Sequence, residues 1–117
     1  MYKRQASILH DFYSGVEKIF ERVAISVDKN LPKGENRHIE LLSQMAKPFI
    51  GIREPVISED LFQNLKEYLR FRHLFRHIYG FELKWERIRE LCVNIEDIFS
   101  KVKFEVERFL KGLEKNI

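Results

Sequence analysis

Residues 58–80 read SEDLFQNLKEYLRFRHLFRHIYG, and this stretch decides the fold class. Ser58 is a side chain suited to accept from the free N–H groups at a helix start. Glu59 and Asp60 follow, where negative charge suits the positive helix end. Leu61, Leu65, Tyr68, Leu69, Phe75 and Ile78 then recur at helical spacing as far as Tyr79. Gly80 reads as the left-handed residue that stops the helix.

The same period runs through the rest of the chain. From Gln5 to Asp28 the stripe is Leu9, Phe12, Val16, Ile19, Phe20, Val23 and Val27, with His10 and Tyr13 read as surface residues beside it. Pro32 and Gly34 break this helix. From Asn36 to Phe49 the inward face is Ile39, Leu42, Met45, Ala46 and Phe49. From Lys84 to Leu113 it is Ile88, Leu91, Ile95, Ile98, Phe99, Val102, Val106, Phe109 and Leu113, with Trp85 as core or interface packing. That last helix would span about 45 Å, long enough to project past its own bundle onto a partner. The expectation is one all-α domain over residues 1–117: an antiparallel four-helix bundle with a long C-terminal helix and short connections.

Composition narrows the class. A chain of 117 residues with 44% hydrophobic content builds one core without a disulfide or metal. Cys92 is the single cysteine, which excludes an intramolecular disulfide; it reads as a buried small hydrophobe in a reducing, cytoplasmic setting. No apolar run reaches the ~18 residues of a membrane span. The net charge is +3, but residues 70–89 alone carry six Lys/Arg against Glu82 and Glu86, a sum of +4, so the rest of the chain sums to −1. A basic patch this local suits an anionic partner such as nucleic acid.

Chemistry concentrates in the same segment. Of the four histidines, at 10, 38, 73 and 77, only His73 and His77 share a helical face, and Arg70 and Arg76 beside them disfavour a divalent ion. No metal and no cofactor are expected. His38 has no partner at ligand spacing. Arg72 falls inside the apolar stripe, and a guanidinium cannot shed its charge. It needs an anion, a glutamate from another helix, or a route for its head to solvent. His77 lies roughly 140° around an ideal helix from Arg72, so two facing copies aim the pair at one phosphate more easily than one copy does. Arginine with histidine, without a carboxylate cluster, fits metal-independent attack on RNA by its own 2′-hydroxyl. The histidine moves the proton and the arginine stabilises the phosphate charge.

Arg72-His-Leu-Phe-Arg-His77-Ile-Tyr79 matches the RX4HXY motif of HEPN-domain toxins of the HepT type. Ile8-Leu-His-Asp-Phe-Tyr, Glu17-Lys-Ile-Phe-Glu-Arg, and Tyr68 to Leu83 followed by Trp85 extend the resemblance over nearly the whole chain. The resemblance implies a HEPN-type fold and a homodimer with paired motifs lining a cleft. It implies a metal-independent RNA endonuclease in which Arg72 and His77 are the catalytic pair. It also implies an MntA-like nucleotidyltransferase antitoxin that attaches AMP to Tyr79 and silences the nuclease. Arg70, His73 and Arg76 are assigned to RNA contact, with tRNA or mRNA as the substrate. The other readings are a non-catalytic HEPN module that assists a partner nucleotidyltransferase, and a plain helical scaffold dimer.

Overall fold

Helices α1 (Lys3–Val23) and α3 (Glu59–His77) pack against each other, and both also pack against α2 (Arg37–Met45) and α4 (Trp85–Lys115). The computed structural model describes residues 3–77 and 85–115, with side chains over 4–73 and 86–114. It is all-α, four helices gathered into a globule of 49 × 30 × 19 Å whose long axis matches the length of α4. The expectations for Phe75, Ile78, Gly80 and the side chain of Trp85 lie outside the described residues.

The buried face of α1 is Ala6, Leu9, Tyr13, Val16, Phe20 and Val23. Steps of three and four between them keep the stripe on one face. Two readings from sequence need correction. Tyr13 is core rather than surface, and Ile19 stands exposed. Apolar residues occur on both flanks of α1, and the phase is set by what packs against it. The helix then widens into a π-helical turn at Ala24–Asp28 and stops at Lys29, which takes the left-handed conformation (φ 58°). The amide of Asn30 donates to Ala24 O at 3.0 Å. This turn directs Asp28 inward.

Asp28 meets Arg53, and the pair fixes the connection between α2 and α3. Arg53 Nε donates to Asp28 Oδ1 at 2.6 Å and Nη2 to Oδ2 at 2.7 Å. Nη1 donates to the carbonyls of Lys47 and Glu54, and Nη2 also to that of Gln44. All five N–H groups of the guanidinium therefore have acceptors, the condition for burying such a charge at low cost. Gln44 Nε2 adds a bond to Asp28 Oδ2 at 2.7 Å.

This network explains why α2 ends at Met45 and not at Phe49. Pro48 disfavours helical conformation at Lys47. The carbonyls freed there turn to Arg53, while Met45 O accepts the amides of Val56 and Ile57. Phe49 instead pairs with Arg53 across a tight turn in which Gly51 has φ 79°. Ile39, expected inside, is 37% exposed, and Leu41 is buried instead.

Helix α3 begins as its sequence requires. Ser58 Oγ accepts from the Leu61 amide at 3.2 Å, and Glu105 of α4 accepts from both the Ser58 amide and its hydroxyl. Leu61, Leu65, Tyr68 and Phe71 face inward. The Tyr68 hydroxyl donates to Leu91 O at 2.6 Å, tying α3 to α4, and Phe12 lies edge-on to its ring. On α4, Ile88, Leu91, Ile98, Val102 and Val106 are buried, but Phe99 is 55% exposed rather than inward.

Candidate functional site

Two arginines are buried to the same depth, at 8% residual exposure, and they differ in how they are satisfied. Arg53 has five hydrogen bonds. Arg72, near the end of α3, has one among the described residues: Nη1 donates to Glu17 Oε1 of α1 at 3.1 Å. Its Nε is buried with no partner among the described residues. A buried donor left unmade costs about 1–3 kcal/mol, more when charged. Nε belongs to the side-on edge of the guanidinium, the edge that takes two oxygens of a phosphate or carboxylate.

Glu17 holds a second group. Its other oxygen, Oε2, lies 2.8 Å from His38 Nδ1 of α2. An ionised carboxylate only accepts, so Nδ1 carries the hydrogen and Nε2 is the nitrogen left for other work. Three helices thus converge on one carboxylate. Beneath them lies Tyr13, whose hydroxyl is pushed far above the ordinary tyrosine range by burial, with the Glu17 charge adding and Arg72 opposing. It stays a neutral phenol.

The glutamate partner of Arg72 is one of the options the sequence left open. His38, which has no partner at metal-ligand spacing in the sequence, finds a hydrogen-bond partner in Glu17, 21 residues away in the chain. The signal for both was the phase of α1: Glu17 follows Tyr13 by four residues and precedes Phe20 by three. Once Tyr13 belongs to the buried face, Glu17 lies beside that face.

A groove of about 390 Å³ opens at this cluster, between the start of α2 and the second half of α3. Arg70, Arg72 and His73 line one wall, with Asn36, His38 and Ile39 on the other. Three residues singled out from sequence are therefore gathered at one surface. Arg70 is exposed, with Glu67 at 3.4 Å, and Arg87 of α4 reaches the same carboxylate at 3.0 Å. Such pairs at the surface are worth at most about 1 kcal/mol and yield readily to a stronger anion. The side chains of Arg76 and His77 and all of Tyr79 lie outside the described residues; the backbone of α3 runs to His77. Among the described residues no three of His, Cys, Asp and Glu gather as metal ligands.

A family model for HepT-like proteins matches residues 5–113. The chain belongs to the HepT-like family. The match spans α1 to α4 and includes the motif from Arg72 to Tyr79, which identifies a HEPN-type toxin family. No curated protein and no solved structure matches the chain significantly. The matched residues include Arg72, one of two described side chains, with Gln5, that keep a buried polar atom without a partner among the described residues. No helix of the described residues is long and apolar enough to cross a membrane.

Proposed function

We propose that this HepT-like chain is a metal-independent endoribonuclease, the toxin of a HEPN and nucleotidyltransferase pair. The observation that carries the reading is the Nε of Arg72, buried without a partner among the described residues, set against the fully bonded Arg53 of the same molecule. A structural arginine resembles Arg53. An arginine waiting for a phosphate resembles Arg72.

In the reaction, Glu17 holds Nη1 and turns the side-on edge of Arg72 to the scissile phosphate. The substrate 2′-oxygen attacks phosphorus as a base takes its proton, and the bond to the 5′-oxygen breaks as that oxygen gains a proton. The products are a 2′,3′-cyclic phosphate and a 5′-hydroxyl. His77 moves the proton, and Arg72 neutralises charge that builds on the non-bridging oxygens. Arg70, His73 and Arg76 contact the RNA backbone. DNA lacks the nucleophile, so the substrate is RNA, with tRNA and mRNA as the classes to test.

The same reading makes the working unit a homodimer of single HEPN domains in the cytoplasm, each cleft using the arginine of one chain and the histidine of the other. The partner is an MntA-like nucleotidyltransferase that places AMP on Tyr79. An added phosphodiester and adenine beside His77 bring negative charge and bulk where RNA must lie.

The test uses protein whose intact mass shows no adduct. In EDTA it cleaves total RNA or tRNA, and both Arg72→Ala and His77→Ala abolish the products. RNA left intact by that preparation overturns the nuclease. Co-expression with the nucleotidyltransferase adds mass in multiples of AMP, and Tyr79→Phe prevents the gain; an undiminished gain in that variant moves the modification elsewhere.

A further inference from the structure

Ile39, like Ile19 and Phe99, is an apolar side chain that helical periodicity places inside and the structure leaves exposed, here 37%. It lies in the groove between α2 and α3, with half-buried Leu69 also lining it. The two give the groove an aliphatic surface. Lys66, Arg70 and Arg72 supply cations along α3, and His38 stands on the α2 side. His38 Nδ1 is taken by Glu17, so Nε2 is the ring nitrogen available to a ligand. Arg72 brings a buried donor that has no acceptor among the described residues.

An apolar surface beside fixed cations suits a ligand with one flat face and one anionic group. At about 390 Å³ the groove falls within the range of small-ligand pockets, ~300–1,000 Å³. Asn36 carries amide donors and an acceptor that suit the edge of a base, and the Glu35 carboxylate beside it repels a phosphate from its side of the groove. We propose that this groove is a nucleotide subsite for the RNA strand, seating one base on Ile39 and Leu69 with its phosphate held by Arg72 and His38. It rests on the ribonuclease reading for its choice of ligand. It adds a role for His38, which lies outside the sequence motif. His38 here is a binding residue, anchored by the same carboxylate that orients Arg72.

The test titrates the full-length protein with a short 2′-O-methyl oligoribonucleotide, which lacks the nucleophile and stays uncleaved. Methyl NMR reads Ile39 and Leu69, and calorimetry reads affinity. Both methyl groups are expected to shift. His38→Asn retains a donor for Glu17 but loses Nε2, and it should weaken binding on the order of tenfold, the value of one charge-assisted hydrogen bond. Ile39→Glu, at an exposed position that tolerates a polar residue, should weaken it at least as much.

Methyl groups unmoved by the oligonucleotide overturn the subsite, as does wild-type affinity in both variants. ATP binding as tightly as the oligonucleotide makes this a free-nucleotide site and overturns the strand assignment. Inorganic phosphate matching both removes the base contact. Cleavage of ordinary RNA by the same preparation separates the two readings. A protein that seats the oligonucleotide in the groove but cuts no RNA keeps the subsite and loses the nuclease. A protein that cuts RNA while the groove stays silent keeps the nuclease and loses the subsite.

Discussion

At the scale of single residues, disturbing the two buried arginines should have opposite effects, one on stability and the other on cleavage. Asp28→Ala strips Arg53 of both carboxylate bonds and leaves a buried charge unpaired. It should cost about 3–5 kcal/mol in urea unfolding, with cleavage per folded molecule unchanged. Arg72→Lys keeps a positive charge for Glu17 but has no side-on edge. Its melting temperature should stay near wild type while cleavage falls by about 10²–10³, the cost of losing one oriented donor to transition-state charge. Equal loss of stability in both variants would show Arg72 to be as structural as Arg53. The suspicion about Arg72 was legible in the sequence, because a permanent charge stood in an apolar stripe. Its partners were not. Glu17 lies 55 residues before Arg72 in the chain, and His38, on a third helix, bonds the other oxygen of the same carboxylate.

At the scale of elements, hydroxyl groups tie the helices together, and they predict an alkaline limit. The Tyr68 hydroxyl is pushed up to about 12 by burial first, then by Cys92 and Asp97, and Tyr13 is raised further still. Folding therefore favours the neutral phenols. Their contribution is fully present below the unfolded tyrosine value of 10.0 and is lost as pH climbs through the folded values. Stability should decline above about pH 10, with tyrosinate absorbance at these two rings rising together with unfolding. Absorbance from them in the folded state near pH 10 contradicts this packing. Ser58→Ala should cost about 1 kcal/mol from the cap of α3, measured by thermal unfolding. A larger loss would give Glu105 a share through its contacts with Ser58.

The four helices were legible because long amphipathic segments with strong stop signals announce themselves. Less legible was which flank of each stripe turns inward. Tyr13, Ile39 and Phe99 all sit at stripe edges, where the neighbouring helix decides. The end of α2 was misread because Arg53, beyond the helix, draws off the carbonyls that would have continued it.

At the scale of the whole molecule, α4 leaves Val93, Phe99 and Phe104 exposed along a helix of 31 residues. Apolar surface of this kind is common at contacts between chains. The proposed dimer gives the Arg72 deficit its setting, since the second chain brings its own motif to the cleft. Mixing inactive chains tests that arrangement most directly. Arg72→Ala and His77→Ala proteins, each silent alone, are unfolded together, refolded as mixed dimers and given RNA in EDTA. The composite cleft predicts that cleavage returns, because each mixed dimer holds one site with an intact arginine from one chain and an intact histidine from the other. Mixed dimers that stay silent, under conditions where the wild type refolds and cleaves, contradict it.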